Sequence, residues 1–141
     1  MPDILHRVGI AAEPTRVFEA LTSVEGIKNW WSAETHGDAS EGGDFQFRSN
    51  RLHVAHADPS LVTWTYSGPA KEWLPTEISF RLAWCDGQTI VLFKHAGWLE
   101  PVEFMHHCST KWATFLLSLK DYVERGEGRP EPRDTKIAVD A

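Results

Sequence analysis

Basic residues are under-supplied in this chain. Its 14 Lys and Arg stand against 20 Asp and Glu, a formal net charge of −6, so there is no electrostatic footprint for wrapping a phosphate backbone and nucleic acid is not an expected partner. Cysteine is nearly absent. Cys85 and Cys108 make at most one bridge, and their spacing matches neither a zinc knuckle nor a CxxC redox pair, so both read as free thiols. No stretch approaches the roughly 18 apolar residues of a membrane span, and the opening MPDILHRVGI lacks the basic and apolar regions of a secretory signal. The expectations are no membrane association and a cytoplasmic location. A GxSxG nucleophile elbow is missing, and GDASEGGD opens a strand rather than the helix a phosphate-cradling loop needs. Tyrosine is scarce, two residues against seven Trp and seven Phe. That composition supplies much flat apolar surface with few hydroxyls to satisfy, and it fits either a Trp-heavy core or a Trp-lined cavity.

What is present has the proportions of one domain: 141 residues, 42% hydrophobic and 24% charged, enough for a single sizeable core. Ile4, His6, Val8 and Ile10 alternate with Leu5, Arg7 and Gly9 as a strand. Pro14 suits the first turn of a short helix carrying Val17, Phe18 and Leu21, and Ser23 can cap a second through Ile27, Trp30 and Trp31. HGDASEGGD then reads as a turn-rich connection. Period-two segments follow: Phe45 and Phe47; Leu52 and Val54 across a turn at Ser49, Asn50 and Arg51; Val62, Trp64 and Tyr66; Ile78, Phe80, Leu82 and Trp84. Asp86-Gly87 makes a tight hairpin turn, and Val91, Phe93 and His95 return on the apolar face. From Pro101 to about Arg125 the period is helical, with Met105, Cys108, Trp112, Phe115, Leu116, Leu119, Tyr122 and Val123 on one stripe and Gly126 as the stop. The expected architecture is α+β: an antiparallel sheet of about six or seven strands against a long C-terminal helix. Residues 1–126 form the domain, and 127–141, which mix Pro, Gly and charge without period, form a polar disordered tail.

The segments IAAEPTRVFEALTSVEGIKNWW, GGDFQFR, DGQTIVLFKHAGW and KWATFLLSLKDYVERG resemble the helix-grip (START-like, SRPBCC) superfamily. Within it they are similar to the activator of heat-shock protein 90 ATPase homologue-like proteins, over roughly residues 4 to 126. The resemblance implies a curved sheet wrapped around the C-terminal helix, with two short helices after the first strand. It does not select an activity, because this scaffold carries hydrophobic-ligand binders, cyclases and chaperone co-factors. Lys111-Trp112 stands where the family commonly has Gly-Trp.

Three function classes follow. The leading expectation is binding of a small hydrophobic molecule, aromatic or lipid-like, in a cavity between sheet and helix. Its candidate lining is Trp30, Trp31, Phe47, Trp64, Tyr66, Phe80, Trp84, Phe93, His95, Trp112, Phe115 and Leu119. Trp73 and Trp98, in connections, are placed at a rim or on the surface. The second class is a protein that acts on a chaperone, as the resemblance implies. The third is a cyclase or hydrolase using His95 and Tyr66, with His6 as a further inward histidine. Against it stands the reading of His95 as a core residue bonded to a backbone carbonyl, which carries more weight because buried polar groups find such partners. His106, His107 and Cys108 point in diverging directions on a helix, and His53 and His56 fall on opposite strand faces, so neither a metal nor any other cofactor is expected. Ile90 and Leu92 hint at a covered outer face, which leaves monomer and homodimer both open.

Overall fold

The computed structural model describes residues 2–139. Residue 1 of the expected domain and residues 140 and 141 of the expected tail lie outside them. The chain runs β1 (Ile4–Ile10), α1 (Pro14–Thr22), α2 (Val24–Trp30), β2 (Thr35–Gly37), β3 (Asp44–Phe47), β4 (Asn50–Asp58), β5 (Leu61–Gly68), β6 (Glu77–Cys85), β7 (Gln88–Ala96) and α3 (Glu103–Arg125). A single 3-10 turn, Lys71–Trp73, lies between β5 and β6. The strands form one antiparallel sheet in the order β1-β7-β6-β5-β4-β3-β2. The helices cover its apolar face, which is the expected helix-grip plan.

Local chemistry explains the element ends. Pro14 occupies the first turn of α1, where its missing N–H costs nothing. Ser23 Oγ accepts the Gly26 N–H at 3.0 Å and so caps α2. Gly126 takes φ 86° and returns its N–H to Tyr122 O at 2.8 Å, closing α3 with the left-handed cap that glycine adopts without a Cβ penalty. The 23 residues of α3 span about 35 Å, enough to cross the sheet. The β6–β7 register pairs Ile78 with His95, Phe80 with Phe93 and Leu82 with Val91. All six are buried, and each apolar side chain among them contributes about 1.5–3 kcal/mol relative to exposure.

The structure departs from the sequence reading in several places. His36 and Gly37, read as the start of a turn-rich connection, belong to β2, which pairs with β3. Asn50 lies in β4, and the turn before it is Arg48-Ser49, with Arg48 at φ 53°. Trp84, placed in the cavity by strand parity, is 53% exposed. It pairs with Thr89 close to the Asp86-Gly87 turn, at the tip of the hairpin, where Thr89 is covered by Ala12 and Trp84 is left facing solvent. Trp98 is 1% exposed, not at a rim. The segment from 127 onward does not hang free. Glu131 exchanges backbone hydrogen bonds with Trp31 O (2.8 Å) and the Ala33 N–H (2.9 Å), Arg129 N–H donates to Ser118 Oγ at 2.6 Å, and Asp134 is buried. A chain rich in charge can pack when its carboxylates meet cations already on the domain, as they do below.

Candidate functional site: an aromatic groove beside the long helix

Sheet and helix separate beside the N-terminal half of α3, leaving a groove of about 280 Å³. From α3 come Phe104, His107, Cys108, Lys111, Trp112 and Phe115, residues three and four apart that share one helix face. Opposite them stand Trp31 at the end of α2, Phe47 on β3, Asn50 at the start of β4, and Ala70 and Trp73 from the β5–β6 connection; Ser32 and Glu131 complete the rim. The rings interlock. Trp31 lies 4.3 Å from Phe47 and 5.1 Å from Trp112, and it stacks on Trp64 at 5.5 Å with 4° between planes. Trp73 stacks on Trp112 at 6.4 Å and meets Tyr66 edge-on at 5.1 Å. Such offset and edge-to-face contacts hold aromatic walls rigid.

His95 sits behind these walls, fully buried. Trp112 Nε1–H donates to its Nδ1 at 3.1 Å, so the ring's own proton is on Nε2, which donates to Thr76 Oγ1 at 2.9 Å. The Thr76 hydroxyl in turn donates to the Trp73 carbonyl. This chain ties α3, β7 and the β5–β6 connection together and consumes both ring nitrogens. Burial pushes the His95 pKa down to about 3, so the ring is neutral and serves to position Trp112 and Trp73. Burial likewise pushes the Cys108 thiol up to about 11, and its sulfur accepts Trp73 Nε1–H at 3.3 Å. A thiol held protonated is a poor nucleophile.

The polar end of the groove is built by the tail. Lys111 Nζ donates to the buried Asp134 carboxylate and to Thr135 O (3.2 Å), and lies 5.2 Å from the Phe115 ring centroid. Burial raises the Asp134 carboxyl, but hydrogen bonds from Lys111 and Lys136 outweigh it and hold the group below the usual carboxylate range. Glu131 Oε1 is 2.8 Å from Arg48 Nε, an ion pair without an aligned hydrogen bond. Among the described residues no three His, Cys, Asp or Glu side chains converge as a metal set.

Of the twelve cavity candidates, the groove brings together Trp31, Phe47, Trp112 and Phe115. Trp30, Trp64, Phe80, Phe93 and Leu119 fill the core. Tyr66 and His95 stand one layer behind the wall, and Trp84 faces solvent. His6, the second histidine candidate, is bonded through Nε2 to Ser109 O at 3.0 Å, outside the groove. Strand parity cannot separate a wall from a filled core, because both face inward. Sequence reasoning missed Ser32, Asn50, Ala70, Trp73, Phe104, His107, Cys108, Lys111 and Glu131 as lining. For the α3 members the helical period from Trp112 was a usable signal; Trp73, placed at a rim or on the surface, belongs to the lining, and for Glu131, also in a connection, no signal existed.

The profile of the family described as Activator of Hsp90 ATPase homolog 1-like protein matches residues 11–124. The solution structure of the Aha1 dimer from Colwellia psychrerythraea is similar at 42% identity and a TM-score of 0.83, covering 91% of this chain and 100% of that one. CalU16 from Micromonospora echinospora shares the fold at 24% identity and a TM-score of 0.74, over 92% of this chain and 77% of that one. Protein SSP2350 from Staphylococcus saprophyticus does so at 18% and 0.76, over 92% and 97%. No curated protein matches the chain.

Proposed function

This chain belongs to the Activator of Hsp90 ATPase homolog 1-like family, and from that premise and its groove we propose that it binds a small hydrophobic molecule, aromatic or lipid-like, beside α3. The observation that carries the reading is the lining itself: six aromatic rings, Trp31, Phe47, Trp73, Phe104, Trp112 and Phe115, around a handful of polar groups. That mixture is typical of small-molecule sites, and the volume falls near their lower bound, which favours a ligand of one or two rings or a short chain. The test is a titration of Trp emission with naphthalene derivatives and short fatty acids. A saturable change is expected, and Ala70→Phe, which fills the groove from a partly exposed position, weakens binding at least about tenfold. A flat response across the panel, or unchanged affinity in a folded Ala70→Phe protein, overturns the reading.

A second reading is favoured by the likeness to the Colwellia Aha1 dimer: self-association, and contact with a chaperone. Leu5 and Leu92, 64% and 48% exposed on the outer face of β1 and β7, offer an apolar patch for either. The chaperone arm predicts a change in ATP turnover when the protein is added to purified heat-shock protein 90. Neither His95, which has both nitrogens engaged, nor the Cys108 thiol, which is held protonated, supports the cyclase or hydrolase alternative.

A further inference from the structure

Three polar groups on the groove wall, Asn50, Lys111 and Ser32, keep donors to offer, and Glu131 Oε1 is an acceptor without a hydrogen bond among the described residues. Ala70 N–H donates to Tyr66 Oη at 2.9 Å, and Tyr66 gives its own proton to Asn50 Oδ1 at 2.6 Å. This fixes the Asn50 amide: its oxygen is engaged, and its Nδ2H2 makes no bond to protein among the described residues. Lys111 Nζ has three protons, of which Asp134 and Thr135 O take two. Ser32 Oγ accepts the Glu34 N–H at 3.3 Å and keeps its own proton to give. The opposing acceptor on the lining, Glu131, has its charge offset by Arg48 at 2.8 Å.

A purely apolar ligand in this groove leaves the Asn50 amide and the third Lys111 proton unpaired, which costs affinity. An acceptor at one end of the ligand removes that cost. A single ammonium already partnered by Asp134 suits a monoanion rather than a dianionic phosphate. We propose that the ligand class is a small aromatic carboxylic acid, bound in ionised form, with its ring among Trp31, Trp73 and Trp112 and its carboxylate received by Asn50 Nδ2 and Lys111 Nζ. The proposal rests on the hydrophobic-binding reading and adds the acid end.

Calorimetric titration with 1-naphthylacetate and its neutral counterpart 2-(1-naphthyl)ethanol tests it. The acid binds about tenfold tighter than the alcohol, the usual advantage of a charge-assisted bond over a neutral one. Asn50→Asp keeps the acceptor for Tyr66 but replaces two donors with a charge, and it inverts the ratio. Lys111→Met brings the ratio to about one. Equal affinities in the native protein, or a ratio unmoved by Asn50→Asp, overturn the assignment. If the alcohol binds and the acid does not, this inference falls while hydrophobic binding stands; if neither binds, both fall. Should either variant fail to fold, the ratio in the native protein decides by itself.

Discussion

His95 shows what one buried ring does for this fold. With Nδ1 accepting from Trp112 and Nε2 donating to Thr76, it stays neutral in the folded protein down to about pH 3, whereas an unfolded histidine takes up its proton near 6.5. Between those values the unfolded chain binds one more proton than the native one. Stability therefore falls as pH drops through that window, by up to about 1.4 kcal/mol per pH unit from this residue. Chemical denaturation at pH 7 and pH 5 measures it: His95→Leu is less stable at pH 7, because Trp112 and Thr76 lose a partner, yet its stability changes less between the two. An equal slope in both proteins counts against this role. The inward position of His95 was legible from its alternation with Phe93 and Val91. Its partners were not: the backbone carbonyl expected for it is replaced by two side chains, 17 and 19 positions away along the chain, which no periodicity brings into view. Trp84 teaches the converse, since parity places it inward yet it is 53% exposed at the hairpin tip.

At the scale of elements, the tail after α3 is the least anticipated part. Composition alone suggested a loose polar segment, because charge with Pro and Gly cannot build a core of its own. It packs because the domain supplies what it lacks. Lys111 meets Asp134, Arg48 meets Glu131, and the backbone at Glu131 bridges to Ser32 beside the groove. Gly128 makes the path possible. A Cβ there would lie 2.5 Å from Asn29 O and 2.8 Å from Ser118 O, closer than any real side chain sits. Gly128→Val therefore pushes the tail off α2 and α3, and limited trypsin digestion reports it: cleavage after Arg133 and Lys136 is fast in the variant and slow in the native protein. Equal rates would mean that the tail is not held by this close approach. The strands and α3 were legible within a few residues, because their apolar periods of two and 3.6 are local properties. Only β2, three residues long, escaped, since so short a strand carries no period to detect.

At the scale of the whole molecule, Leu5 and Leu92 stand out on a face where Arg7, Arg81 and Lys94 make no ion pair among the described residues. Leu5 pairs with Lys94 and Arg7 with Leu92, so the two leucines are diagonal neighbours on adjacent strands. If this face joins two copies, sedimentation across a concentration series shows a dimer that Leu5→Glu combined with Leu92→Glu converts to monomer; a native protein that stays monomeric throughout excludes the assembly. The sequence by itself determined the order of most elements, the apolar faces and the family likeness, because alternation, helical period, caps and turn residues act over a few neighbouring positions. Tertiary structure decided which of the seven Trp fill the core and which line a groove, what sits beside His95, and how the tail closes the polar end. Those depend on where layers diverge and which charges meet, contacts between residues far apart in the chain that only the folded backbone brings together.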